Sequence, residues 1–576
     1  MTITRSFAAA ALAVSFFAFD AHADAPSVTF TAPPPVPGEH GMVVSVHRIA
    51  SQVGIDILKK GGNAVDAAVA VGYALAVVYP EAGNIGGGGF MTLRLADGHE
   101  TFLDFRERAP LAATENMYLD AKGNVVPNLS TDGWLSVGVP GTVMGLETAR
   151  KQWGTMTRST LLAPAIALAK SGFVLTSDDT RIVGSAAVDL LRDHPDVFAH
   201  FTKPGGVPYA AGDRLVQPQL AATLKRIADF GPHAFYAGAI ADQIVAASAA
   251  GHGIITKADL QRYHVRELAP VTCDYRGYHI VSSPPPSSGG VVLCEMLHIV
   301  EGFPMDKLDF HSVEEVHDLT EAMRLAFADR NNVLGDPAFV KNPVARLIDP
   351  AYAAKLRAKI DPQKAGKSVV PAVEPHEGNN TTHYSIVDKA GNAVSVTYTL
   401  NNYYGARVMA GNTGIVMNDE MDDFTSKPGV PNLFGLIQGK INAIAPGKTP
   451  LSSMTPTIVT RNGHVVMVLG SPGGPRIITS VFESIVNVVD HDMNISQAVA
   501  APRLHHQWLP DTLFAEPGAL ASDVAATLAK NGYTIDTKGP WRPVEAIQVA
   551  PPRGAAPARL LGAADQREPS STAIGY

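Results

Sequence analysis

Two short apolar runs, Tyr384 to Val387 and Val394 to Leu400, flank the polar cluster Asp388-Lys389-Ala390-Gly391-Asn392. Strand-like runs bounded by turn-forming residues predict a β-hairpin. With the turn centred on Ala390, Thr381 falls opposite Thr399 and His383 opposite Thr397. Cross-strand partners share a face. One face of the hairpin is then polar, with Thr381, His383, Ser385, Ser395, Thr397 and Thr399. The other is apolar, with Tyr384 and Ile386 against Val396 and Val394. A slip of one residue would separate the two Thr hydroxyls. Further along, the apolar run Val465 to Leu469 leads through Gly470-Ser471-Pro472-Gly473-Gly474 into a helical pattern from Arg476 to Val489. The apolar stretch Ala64 to Tyr79 contains Asp66 and falls short of the roughly 20 residues needed to cross a bilayer, so it predicts a buried helix and no membrane span.

Strands and helices alternate without a fixed order, and apolar residues make up 46% of the 576 positions, enough for layered α/β packing. No Pro- or Ser-rich linker divides the chain into modules. The Pro-bearing segments Ala23 to Glu39 and Asp361 to Asn380 predict loops. A net charge of −8 without a basic cluster argues against nucleic acid or anionic membrane as a partner. Residues 1–23 carry Arg5, an apolar stretch from Phe7 to Phe19 and then Ala21-His22-Ala23. This is the pattern of a secretory signal peptide cut after Ala23, and it predicts a periplasmic or secreted protein. Cys273 on a strand-like run and Cys294 on a helix-like run are expected to be buried free thiols, although an exported location permits a disulfide. His505 and His506 are adjacent and His311 and His317 are six apart, so neither pair has the spacing of a helical zinc motif; no metal or cofactor is expected.

Candidate chemistry centres on Thr381. An internal Thr becomes a strong nucleophile when the chain breaks before it, because the new α-amine is an adjacent general base. An ordinary strand residue is the simpler reading of a Thr there. Three downstream segments alter the balance. The run Asn418-Asp419-Glu420-Met421-Asp422-Asp423 has no neutralising base, and such runs are usually solvated. Pro450-Leu451-Ser452-Ser453-Met454 alone could be any polar turn. The glycines before Arg476 leave backbone N–H groups free at a helix N-terminus, where developing negative charge is favoured.

These segments together resemble the γ-glutamyltranspeptidases, or glutathione hydrolases, of the N-terminal nucleophile hydrolase superfamily. The resemblance runs from about Glu39 to Tyr576. It includes G-G-N-A-V-D-A-A-V-A from Gly61, G-N-I-G-G-G-G-F from Gly83, D-F-R-E from Asp104 and P-P-P-S-S-G-G from Pro284, then T-T-H-Y-S, T-Y-T-L-N, M-D-D-F, P-L-S-S-M and G-S-P-G-G. It implies a four-layer αββα sandwich built from two subunits of one cleaved precursor, residues 24–380 and 381–576, made when Thr381 attacks the carbonyl of Asn380. Thr399 would orient the Thr381 hydroxyl, and Gly473 and Gly474 would supply oxyanion-hole amides. Arg106, helped by Ser452 and Ser453, would take the substrate α-carboxylate, and Asn401, Glu420 and Asp423 the α-ammonium. Glutathione and other γ-glutamyl compounds are the implied donors, and water, amino acids or dipeptides the acceptors. Position 420 is Glu here and Gln in some relatives. Residues 431–448 are long enough to form a lid, and Phe434, standing where several relatives have Tyr, predicts closure by apolar contact alone.

Two other functions compete. An acylase of the same superfamily, acting on glutaryl or cephalosporin-like amides, would not need the acids that clamp an ammonium. A periplasmic binding protein would not need Thr381, Thr399 and the glycine pair. For Arg106 alone, a surface ion pair with Asp104 or Glu107 is the simpler reading.

Overall fold

A computed structural model of the chain describes residues 28–368, 381–539, 541–551 and 558–576. The signal-peptide segment and Asn380 lie outside the described residues. Fourteen strands carry the architecture: β1 (Val36–Gly38), β2 (Gly41–Ser45), β3 (Gly88–Arg94), β4 (Glu100–Phe105), β5 (Arg266–Leu268), β6 (Val271–Tyr275), β7 (Tyr278–Ser282), β8 (Thr382–Asp388), β9 (Ala393–Thr399), β10 (Thr457–Arg461), β11 (His464–Gly470), β12 (Glu545–Ala550), β13 (Arg559–Ala563) and β14 (Thr572–Gly575). They form two seven-stranded sheets, ordered β1-β13-β12-β11-β10-β7-β6 and β14-β2-β8-β9-β3-β4-β5. Neighbouring strands run antiparallel throughout both sheets.

The sheets pack face to face through Met42, Val44, Val281, Val387, Ile458, Val468, Ile547 and their neighbours. Helices α1 (Arg48–Lys59) and α2 (Ala64–Val78) cover the outer face of the second sheet, and Val71, Leu75, Tyr384, Val394 and Val396 share one core there. Helices α3 (Gly289–Val300), α4 (Val313–Val333) and α5 (Arg476–Val489) cover the first sheet, burying Leu293, Phe327, Val459, Leu469 and Ile478 together. Each sheet thus buries both faces, and the result is the expected αββα sandwich.

Local chemistry explains the central hairpin. Asp388 Oδ1 accepts from the backbone N–H groups of Ala390 (2.9 Å) and Asn392 (3.0 Å), and Gly391 takes the left-handed conformation with φ +89°. An Asp side chain that bonds its own backbone two residues on sets a turn in this way. The register follows: His383 pairs with Thr397, Tyr384 with Val396 and Ile386 with Val394. Helix α2 is buried along all fifteen residues. Its one acid is matched, because Asp66 completes a capping box with Asn63 and accepts from the backbone N–H groups of Thr155 and Met156.

Two expectations need correction. Cys273 and Cys294 are not free thiols; they form a disulfide with a Cα–Cα distance of 5.9 Å. Cys273 points from β6 toward the helical layer, and α3 lies over it there, a proximity no local pattern encodes. Within the segment expected to be loop up to Glu39, Val36–Gly38 is a strand, added to the sheet edge by pairing with β13. Residues 361–368 have no helix or strand, as expected, and the rest of that segment lies outside the described residues. Among the described residues no helix is long and apolar enough to cross a membrane.

Candidate active site

Thr381 directly precedes β8, and Thr399 ends β9 opposite it. The Thr381 hydroxyl donates to Thr399 Oγ1 at 3.3 Å, and Thr399 Oγ1 also accepts from the backbone N–H of Asn401 at 2.9 Å. Asn401 is left-handed, with φ +79°, a conformation Asn tolerates better than most residues. Its amide nitrogen donates to the carbonyl of Asp419 at 3.1 Å. The glycine run from Gly86 explains how Thr399 is held. Asn84 donates to the Thr399 carbonyl at 2.9 Å, and a Cβ on Gly87 would sit 2.0 Å from that oxygen. Only a residue without a side chain fits there.

His383, one turn of the pleat away, is a poor candidate for the general base. Burial between the sheets lowers its pKa to about 3, and its ring is bonded to Thr397 Oγ1 (2.8 Å) and Ser385 Oγ (3.1 Å). A useful base titrates near the working pH.

The glycine loop joins β11 to α5. Gly473 and Gly474 have φ +120° and +59°, so both lie in backbone conformations that favour glycine. Ser471 fixes the loop by donating to the Pro543 carbonyl at 2.9 Å. A Cβ on Gly474 would come within 2.5 Å of the Phe434 ring, so the apolar residue of segment 431–448 packs against the loop.

The acidic run is not solvated. Asp419, Glu420, Asp422 and Asp423 are all buried. Arg106 explains part of this, because its guanidinium forks onto Glu420 and Asp423 and stands 3.9 Å from Glu107. Arg106 is itself buried, which overturns the surface ion pair as its reading. Asp104 instead accepts its backbone N–H and pairs with Arg266. Three carboxyls around one guanidinium cannot all ionise cheaply away from water. Burial raises Glu420 to about 8 despite Arg106, and burial together with the Glu420 charge pushes Glu107 well above the carboxylate range. Burial also raises Asp423. Arg106 stays charged: burial works against it, but Glu420, Asp423 and Glu107 outweigh that and hold it above its ordinary value.

Ser452 and Ser453 line the same pocket. Their loop is clamped to the P-P-P-S-S-G-G segment, with Ser452 N–H donating to Pro286 (2.9 Å) and Ser288 N–H to Ser452 (2.8 Å). One residue that sequence reasoning missed is Arg330 on α4, whose guanidinium donates to Ser453 Oγ and Ser288 Oγ, both at 2.9 Å. Burial lowers its pKa to about 10. It lies in the last turn of its helix, where a basic residue is ordinary, and no local signal marks it. Glu107, which the sequence offered only as a surface partner of Arg106, is buried beside it.

Thr381, Thr399, Asn401, Arg106, Glu420, Asp423, Ser452, Ser453 and Gly474 line one small pocket, closed on one side by Phe434 and Leu436. Gly473 stands just outside it. The segment 431–448 is not held by apolar contact alone: Leu433 N–H donates to Asp422 (2.9 Å), Asn432 to Asp423 (3.3 Å), and Gln507 to the Phe434 carbonyl (3.2 Å). Its first residues, Asn432 and Leu433, reach the acids that the run provides.

Two antiparallel sheets between helical layers, with a Thr at the start of a central strand and its hydroxyl engaged, define the fold of the N-terminal nucleophile hydrolases. The family model for γ-glutamyltranspeptidase matches residues 50–575, and the chain belongs to that family. It is 56% identical over 579 residues to a glutathione hydrolase proenzyme of Pseudomonas sp. (strain A14), covering 100% of this chain and 99% of that one. The glutathione hydrolase proenzyme of Escherichia coli (strain K12) is 46% identical over 584 residues, again with 100% and 99% covered. Among solved structures, a cephalosporin acylase from Bacillus halodurans superposes with a TM-score of 0.82 at 28% identity, covering 97% of this chain and 99% of that chain.

Proposed function

We propose that this chain is a self-cleaving γ-glutamyl hydrolase and transferase in which Thr381, freed by cleavage after Asn380, forms a γ-glutamyl ester and passes the acyl group to water or to an amino acid or dipeptide. The hydrogen bond between Thr381 and Thr399 at the mouth of a pocket lined by Arg106, Glu420 and Asp423 carries this reading. The α-amine of Thr381 takes the hydroxyl proton as the oxygen attacks the donor's γ-carbonyl, and then delivers it to the leaving amine. Amides of Gly473 and Gly474 stabilise the oxyanion, a contact worth a few kcal/mol in related chemistry. Arg106, Ser452 and Ser453 hold the α-carboxylate; Asn401, Glu420 and Asp423 hold the α-ammonium. Arg106 and the two acids already pair with one another, so a zwitterion offers each of them an opposite charge without leaving a buried group unmatched. Glutathione and other γ-glutamyl amides fit this end as donors, and the two products of cleavage remain together as one enzyme.

The structural likeness to a cephalosporin acylase supports a second reading, acylase action on glutaryl amides. The buried acids oppose it, because a glutaryl group has no ammonium to pair with them. The discriminating experiment compares a γ-glutamyl anilide with the glutaryl anilide on purified protein. The γ-glutamyl compound should be favoured by on the order of 10³ in kcat/KM, the scale on which sites reject analogues that leave buried polar groups unpaired. Comparable rates would select the acylase, and a protein that neither splits before Thr381 nor releases aniline would exclude both.

A further inference from the structure

Beside the oxyanion loop, outside the γ-glutamyl pocket, lies a cation that the proposed mechanism does not use. The Arg542 side chain leaves the backbone beside the oxyanion loop, where its Cβ and Cγ come within 3.5 and 3.6 Å of a Cβ placed on Gly473. It ends with its guanidinium over the Tyr403 ring, 5.1 Å from the centroid. Tyr403 follows Asn401 by two residues, so the side chain spans from the oxyanion glycine to the turn that orients Thr399. Its backbone is fixed, since Arg503 donates to the Arg542 carbonyl at 2.7 Å. The side chain is only 17% exposed, yet among the described residues its guanidinium donates no hydrogen bond. The nearest acid, Glu568, stands 4.0 Å away and is already engaged by Arg181 and Tyr79. An Arg held over an aromatic ring with its fork unspent matches a carboxylate. Neither Arg542 nor Tyr403 lines the pocket that takes the γ-glutamyl group. With the γ-glutamyl group seated in that pocket the amine component stands outside it, and Arg542 lies outside it beside Gly473.

The geometry points to Arg542 as the anchor for the carboxylate of the amine component, with the amino group of that component held against the acyl carbon on Thr381. This rests on the γ-glutamyl reading above. Two sources share that chemistry: the C-terminal carboxylate of glutathione's leaving dipeptide, and the carboxylate of an incoming acceptor. With a γ-glutamyl anilide as donor, glycylglycine and glycylglycine amide are compared as acceptors at equal free-amine concentration. The wild type should prefer the free carboxylate, roughly tenfold or more in acceptor kcat/KM, and Arg542→Gln should abolish the preference while Arg542→Lys restores part of it. The ratio within one preparation cancels any general loss of folded enzyme. In the second arm, Arg542→Gln should lower kcat/KM for glutathione relative to the anilide by a similar factor if the leaving dipeptide uses the same anchor; an effect confined to the acceptor arm assigns Arg542 to acceptors alone. Equal use of the two acceptors by the wild type together with an unchanged glutathione-to-anilide ratio in the variant overturns the inference. A wild type that turns over no γ-glutamyl anilide fails the underlying reading instead.

Discussion

Glu420 supplies the sharpest test of the charge cluster. Burial raises its pKa to about 8, against the pull of Arg106. Below that pH the carboxyl is neutral and cannot balance an ammonium; above it the carboxylate is ready. A raised folded-state pKa means that ligand binding, which favours the ionised form, must expel a proton at neutral pH. The sign is therefore fixed: affinity for an ammonium-bearing ligand rises with pH and protons are released. At pH 7 a group with a pKa of about 8 is ionised in roughly one molecule in eleven, and at pH 9 in about ten of eleven, so affinity gains about tenfold, or ~1.4 kcal/mol. Calorimetric titration with L-glutamate in buffers of different ionisation enthalpy reads both quantities. We expect net proton release on binding at pH 7 that falls away as the pH rises toward 9. Glu107 and Asp423 face Glu420 around Arg106 and also carry raised values, so the cluster titrates as a unit. Glu420→Gln, which keeps the shape without the charge, separates the contributions and should remove most of the release. If the wild type binds glutamate with no proton release and constant affinity between pH 6.5 and 9, or if Glu420→Gln releases as many protons as the wild type, the account of the cluster is wrong.

Other consequences are simpler to measure. Thr399→Ala should slow the appearance of a fragment beginning Thr-Thr-His-Tyr-Ser and lower turnover of whatever matures, since the Thr381 hydroxyl loses its partner; wild-type maturation and turnover would remove Thr399 from the mechanism. Gly87→Ala places a carbon 2.0 Å from the Thr399 carbonyl and should cut the yield of matured enzyme sharply, whereas Gly98→Ala, with open space around it despite φ +91°, should cost only the backbone strain of about 1–2 kcal/mol and still mature. Replacing Cys273 and Cys294 together by Ser opens a loop with a sequence separation of 21, an entropic loss of about 3 kcal/mol on the chain-entropy account; a melting temperature unchanged from the oxidised wild type would contradict it.

Local chemistry alone determined the centre of this molecule. The Asp388 to Asn392 turn fixed the hairpin, the period of two placed Thr381 and Thr399 on one face, and the glycines before Arg476 marked where a strand gives way to a helix. Each depends on residues close in sequence, where turn preference and side-chain alternation suffice. Other features were decided only by packing. The acidic run reads as a solvated loop until Arg106, more than three hundred residues earlier, is folded against it. Arg330 reaches Ser453 from the last turn of a helix, and the Cys273–Cys294 bridge depends on a helix lying over a strand edge. The strand at Val36 exists because the sheet edge offers it a partner. No periodicity records such encounters, because their stability comes from groups brought together by the two-sheet sandwich and not from the segments themselves.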